Sequence, residues 1–307
     1  MLAHWDDAEA ERPPAELEHL RGRVRDLGDA AGSDAIGCGR WEPEPGCQST
    51  PAHREGAEEE ISFVLAGSGW SWQDGTTYAI AAGDVLLHGV DEQAHTLVAG
   101  DDSLDVLAFG PRVPSGTTQL PRAGVLRVQE TWVQLPGGAH PWERENAAGR
   151  VELGAPQPRP ERIVALTDVP ERRIERGRTA MTVRDCGRAA GSRRTGLRHL
   201  HIDAGAESYP PHCHSAEEEL FVVLEGDGVV VVGDDEHPVR RGSVVSRPAG
   251  TRVAHSFRAG RVGLIVLAYG TRDPRDIAFQ PRSGKVYVRG LGLIFRPEPL
   301  GYWDGEE

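Results

Sequence analysis

The chain repeats itself, and that constrains its fold more than any other feature. The stretch VRDLGDAAGSDAIGCGRWEPEPGCQSTPAH from Val24 returns from Val183 as VRDCGRAAGSRRTGLRHLHIDAGAESYPPH, at an offset of 159 with no gap. Of these 30 positions, 13 are identical. AEEEISFVLAGSG from Ala57 then matches AEEELFVVLEGDG from Ala216. After a single-residue gap, LDVLAFGPR from Leu104 matches LIVLAYGTR from Leu264 at offset 160. Register held over about a hundred residues means duplication, so the 307 residues read as two copies of one domain. The expected division is an N-terminal arm over 1–22, a first domain over 23–145, a linker and lead-in strand over 146–182, and a second domain over 183–307. The linker contains GAPQPRPER, whose three prolines suit an exposed connector.

Each copy reads as all-β. Its apolar runs are short, rich in Val, Ile, Leu and Phe, and bounded by Gly, Pro and Asp: ISFVL, LFVVL, GVVVVG, RVGLIVLAYG. No helical periodicity competes with them. Many short strands at regular spacing predict a sandwich or barrel, here duplicated. The two repeats are expected to pack on each other with approximate two-fold symmetry, as a fused dimer, with a further homodimer left open.

Composition removes several functions. Lys+Arg is 34 against 47 for Asp+Glu, a net charge of −13, the wrong sign for a nucleic-acid binder or a membrane-surface protein. No apolar run reaches transmembrane length, and the first residues show no signal-peptide pattern. Four cysteines without a CxxC pair make no disulfide framework. A cytoplasmic protein is expected. There is no phosphate-binding glycine loop and no Gly-x-Ser-x-Gly elbow.

The chemistry gathers in the second copy. His212-Cys213-His214 sits at the start of a strand, where alternation sends both imidazoles one way and Cys213 the other. Glu219 follows five residues on, and His255 comes after the Pro248-Ala249-Gly250 turn. Three imidazoles and one carboxylate suit a divalent first-row ion (Fe, Mn, Ni, Zn or Cu) and leave positions for water, oxygen or substrate.

These residues resemble the motifs of the cupin superfamily. The first motif reads Gly205, six residues, His212-x-His214, four residues, Glu219, six residues, Gly226; the second reads Gly242, five residues, Pro248-x-Gly250, four residues, His255. The last loop is two residues longer than the family pattern, and Ala259 stands where an Asn is usual. Because both copies share the pattern, the chain is similar to the bicupins. That resemblance implies two tandem double-stranded β-helix (jelly-roll) barrels. It also implies one divalent metal ion inside the second, held by His212, His214, Glu219 and His255.

The first copy departs from the pattern. His53, Glu60 and His95 align with His212, Glu219 and His255, but Glu55 replaces the second His of the pair. A His53/Glu55/Glu60/His95 set is harder and more negative, and can hold a second ion of a different kind. The Pro-x-Gly turn is lost to His88-Gly89-Val90, where His88 reads as a turn residue. His199 and His201 alternate upstream of the second site, and either face into the barrel, behind the ligands or against a substrate, or lie on an exposed strand face. In each Glu-Glu-Glu run, one carboxylate is expected to point inward and the others to face solvent. Trp70 and Trp72 share a strand face and read as packing.

The leading functional expectation is a metal-dependent oxygenase acting on a small chelating organic substrate. The alternatives are a non-redox metal enzyme (decarboxylase, isomerase or lyase) or a non-catalytic small-molecule-binding cupin. The first copy lacks the His-x-His pair that the resemblance would imply for a bicupin oxalate decarboxylase.

Overall fold

The structure is a computed structural model, and it describes residues 2–14, 16–129, 131–133 and 139–306. Two large antiparallel sheets dominate it, one built mostly from each copy. In the first, Glu60–Gln73 lies between Asp84–His88 and His95–Pro111, and Ile36–Pro43 and Gly22–Asp26 follow. In the second, Glu219–Val232 lies between Ser243–Arg247 and His255–Thr271, and Thr195–Ile202, Thr179–Asp185 and Glu171–Arg176 follow. Each copy adds a four-stranded sheet. One contains Arg54–Glu55, Thr117–Leu120, Val125–Val128 and Thr131–Val133; the other contains Cys213–His214, Ile277–Gln280, Lys285–Val288 and Leu293–Phe295.

The longest strand pairs bend at matching points. Register shifts fall at Val64/Ala66 and Gly67/Gly69 in one copy and at Val223/Glu225 and Gly226/Gly228 in the other. Bulges of this kind coil a long strand so that one face closes around an interior. Gly226 shows why the bend needs glycine. Its φ is +81°, and a Cβ there would lie 2.1 Å from the Gly263 carbonyl oxygen.

The short strands that precede each copy are exchanged between the copies. Leu2–His4, in the arm, pairs with Ser243–Arg247 of the second sheet, Leu2 opposite Val245. Ile163–Ala165, in the connector, pairs with Asp84–His88 of the first sheet, Ile163 opposite Leu86. Each added strand covers an edge that would otherwise present unpaired backbone groups. Trp5 follows the exchanged strand into the core, with the Arg40 guanidinium 4.5 Å from its ring and that of Arg241 at 5.7 Å.

The two copies share one apolar core. Leu27, Ile36, Ile61 and Phe109 of the first pack with Cys186, Leu197, Leu220 and Tyr269 of the second. Phe109 and Tyr269, equivalent by the repeat, stack with centroids 5.2 Å apart. The acidic runs depart from expectation here. Glu59 and Glu218 are buried between the copies and Glu217 inside the second, so these three do not form a solvated face. Strand parity alone cannot show that a second domain covers the outer face. Trp72 is buried with Ala52, Ala94, Val98 and Val151. All four cysteines are buried and free. Among the described residues, no helix is long and apolar enough to cross a membrane.

Candidate metal centre

His212 and His255 face each other as a bridged pair of backbone residues, each donating its N–H to the other's carbonyl at 3.2 and 2.9 Å. Directly opposed residues on paired strands put their side chains on one face. The rings accordingly lie 4.7 Å apart. His212 Nδ1–H donates to the Pro210 carbonyl at 2.9 Å, which leaves the Nε2 lone pair toward the interior. Glu219 starts the central strand, and its Oε2 lies 3.0 Å from His255 Nε2, 3.4 Å from His214 Nε2 and 3.5 Å from His212 Nε2. Ligand bonds of about 2.0–2.2 Å around one ion put neighbouring ligand atoms about 3.0–3.5 Å apart. His212, Glu219 and His255 form one compact group with the spacing an ion requires, and His214 adjoins it through Glu219 Oε2 while also grouping with Glu217 and Asp276.

The polar atoms fit the same reading. Glu219 Oε2, His214 Nε2 and His255 Nε2 are buried and have no partner in hydrogen-bond geometry. Buried polar groups are normally satisfied, so three orphans converging on one point fit a divalent cation. Burial works to raise the Glu219 carboxyl, but the three imidazoles outweigh it and hold it well below its usual range. Burial pushes His255 down to about 4, keeping it neutral. The group opens into a cavity of about 210 Å³, lined in part by Arg198, Ser208, Phe221, Gln280, Tyr287 and Ile294.

The first copy is built alike and is looser. His53 and His95 exchange backbone hydrogen bonds, and His53 Nδ1–H donates to the Pro51 carbonyl at 2.9 Å. Glu60 lies 3.8 Å from His53 Nε2 and 3.6 Å from His95 Nε2. Glu55 is beside His53 at 3.9 Å, outside the compact His53/Glu60/His95 group, and accepts from the Thr118 hydroxyl at 3.0 Å. The adjoining cavity is about 90 Å³. Behind it, the helix Pro141–Ala147 brings the buried Glu145 against the Ala52 N–H at 3.4 Å and Arg122 at 3.2 Å.

Residues 198–262 match the family described as Cupin domain. Solved structures share the architecture over nearly the whole chain. The oxalate decarboxylase of Lactobacillus farciminis, in a formate complex, is 14% identical over 92% of this chain and 89% of its own, with a TM-score of 0.60. A variant of the Bacillus subtilis oxalate decarboxylase is 16% identical over 92% and 79%, with a TM-score of 0.59. The chain is a bicupin by fold. A putative sugar phosphate isomerase from Acidithiobacillus ferrooxidans is 29% identical over 40% of this chain and 81% of its own, with a TM-score of 0.37. No curated protein matches the sequence.

Three placements in the structure differ from the sequence reading. His88 is no turn residue. It ends the strand Asp84–His88 opposite Glu60, is buried, and stacks on His95 with centroids 3.6 Å apart and Nδ1 3.6 Å from Glu60. His199 and His201 do not stand behind the ligands. Arg198 and Leu200, on the same strand, line the cavity, so alternation turns the two histidines to the opposite face. His199 is buried there and His201 exposed. The side chain that does stand behind a candidate ligand is Asp276, 62 residues from His214 in sequence, with Oδ2 2.7 Å from His214 Nδ1. The sequence offered no pointer to it.

Proposed function

We propose that the second barrel is the active site of a divalent-metal-dependent, non-redox enzyme acting on a small carboxylate-bearing molecule. In this reading His212, His214, Glu219 and His255 hold the ion. The observation that carries it is the convergence of their ligand atoms, three of them orphaned, on one face of a cavity with room for a small molecule. When bound, a divalent ion supplies Lewis-acid polarisation of a substrate oxygen. Arg198 lines the same cavity; its Nε lies 3.7 Å from Asp185, and its remaining guanidinium N–H groups are the donors proposed for a substrate carboxylate. Phe221, Phe257 and Leu200 make the inner wall apolar and limit water.

The three-imidazole, one-carboxylate set by itself serves oxygenases and non-redox enzymes alike. The likeness in fold to oxalate decarboxylases across nearly the full chain supports the non-redox alternative over the oxygenase. Metal in the first barrel is a separate proposal: His53, Glu60 and His95, with Glu55 and His88 adjoining, would hold an ion in a space too small for much substrate.

The test is metal analysis of purified protein, followed by turnover of a panel of small mono- and dicarboxylates with O₂ uptake and CO₂ release recorded together. The expected result is metal-dependent substrate loss with no net O₂ consumption. Stoichiometric O₂ uptake would restore the oxygenase, and absence of bound metal would remove the site assignment.

A further inference from the structure

His214 differs from the other second-barrel imidazoles in what holds it. His212 is fixed by a backbone carbonyl, whereas His214 is fixed by the carboxylate of Asp276. Asp276 is fully buried at the turn before Ile277–Gln280, the strand that pairs with Cys213–His214. Its other oxygen, Oδ1, is held independently. It accepts from the Ala216 N–H at 3.0 Å, the Glu217 N–H at 3.3 Å and the Ser215 hydroxyl at 3.4 Å. The carboxylate therefore cannot rotate freely, and only Oδ2 is presented to the ring.

The first copy serves as an internal comparison. Offset 160 sets Gly116 against Asp276, in the same turn. Gly116 N–H donates to the Val113 carbonyl as Asp276 N–H does to Asp273, and the Gly116 carbonyl accepts from Gln129 as that of Asp276 does from Arg289. The position of His214 is Glu55. Thus the imidazole and the carboxylate behind it differ together, while the backbone around them is kept. A carboxylate at position 116 would have nothing to accept from at Glu55, and even a Cβ there would lie 2.9 Å from Glu58 Oε1.

We infer that Asp276 is the positioning residue of the second-barrel metal site. It holds the proton of His214 on Nδ1 and aims the Nε2 lone pair at the point where His212, Glu219 and His255 meet. This rests on the reading of that barrel as a metal site. Partners of this kind set the tautomer and orientation of a ligating imidazole. Asp276→Asn tests it sharply. The three donors around Oδ1 keep the amide oxygen in place, so the amide NH₂ must face His214 Nδ1. A donor there requires Nδ1 to accept and moves the ring proton to Nε2, where it blocks coordination.

The experiment is a Mn(II) titration followed by electron paramagnetic resonance on the full chain. Every protein carries Glu60→Ala so that the second barrel is read alone. Asp276→Asn should weaken Mn(II) binding by about 10–100-fold. His214→Ala should weaken it similarly, and Asp276→Asn should add nothing further on top of His214→Ala. Unchanged affinity in Asp276→Asn, or losses that simply add, overturns the positioning role and leaves the metal site standing. A parent protein that binds no Mn(II) overturns the metal-site reading and this inference with it. Should Asp276→Asn not fold, nitrogen-15 NMR of the Zn(II)-loaded parent decides. Nδ1 protonated and Nε2 on the ion is expected for His214, and Nδ1 on the ion refutes the assignment.

Discussion

Glu59 of the first copy accepts a hydrogen bond from the hydroxyl of Ser192 in the second, at 2.8 Å. The repeat mirrors it: Ser33 donates to Glu218 at 2.6 Å. Glu59 also accepts from the N–H groups of Arg193, Arg194 and Thr195, and Glu218 from those of Asp34 and Ala35. Each carboxylate thus completes a turn of the other copy, which is how a two-fold dimer interface looks once its subunits are joined in one chain.

Removing either carboxylate should loosen the whole molecule. Glu59→Ala strands several buried donors and is expected to cost about 2–3 kcal/mol, the scale of hydrogen bonds to a charged group. Burial alone would raise the Glu59 carboxyl, but the hydrogen bonds from Ser192 and from the Arg193–Thr195 backbone outweigh that and hold it below the ordinary carboxylate range. Its contribution is therefore complete above that range and drains away as pH falls through the folded value. Denaturant midpoints of wild type and Glu59→Ala should be well separated at neutral pH and converge in acid. A constant separation would remove Glu59 as the source.

His199 gives stability a second pH dependence. Burial, helped by nearby Arg184 and His201, lowers its pKa from 6.5 to about 4. The folded state thus favours the neutral ring. Its contribution is complete above pH 6.5 and is lost as pH falls toward 4, by at most about 3 kcal/mol. His199→Gln should flatten the stability profile across that window. An unchanged slope in thermal unfolding between pH 6.5 and 4 would contradict this.

Trp5 locks the exchanged N-terminal strand. Its side chain is buried, its backbone N–H donates to the Gly242 carbonyl at 2.9 Å, and Arg40 and Arg241 flank its ring. Trp5→Ala should cost about 3 kcal/mol or more, within the range for large-to-small changes in a core. Deleting residues 2–5 should also uncover the edge of Ser243–Arg247 and promote association, visible by light scattering. A truncated chain as stable and as monodisperse as its parent would argue against the lock.

The two barrels should part company under matched changes. Glu219→Ala is expected to abolish turnover and second-barrel metal, because the three imidazoles of that site all converge on this carboxylate. Glu60→Ala should leave turnover largely intact, since its barrel offers about 90 Å³ against about 210 Å³. Metal content and substrate loss measured on both variants check this, and the reverse pattern would make the first barrel the catalytic one.

Much of the architecture was legible because duplication writes the same pattern twice. The offset of 159 aligned Glu60 with Glu219 and His53 with His212 before any strand was placed, and short apolar runs fixed the β class. The candidate ligands His212, His214, Glu219 and His255 stood out by type and spacing. His88 did not, because its neighbour Glu60 lies 28 residues back and meets it only through antiparallel register. For His199 and His201 the sequence left two faces open, because alternation gives two faces without saying which is inside; the structure turns both away from the cavity.

What the sequence by itself determined is therefore local and repetitive: strand character, two equivalent units, and a set of imidazoles and carboxylates able to share an ion. Only the tertiary structure decided what stands opposite each of them. It exchanged Leu2–His4 and Ile163–Ala165 between the sheets, buried Glu59 and Glu218 in each other's copy, and brought Asp276 to His214. The physical reason is that period-two alternation encodes the direction of a side chain along its own strand. Its partner is set by register, sheet closure and packing between domains, which join residues far apart in the chain.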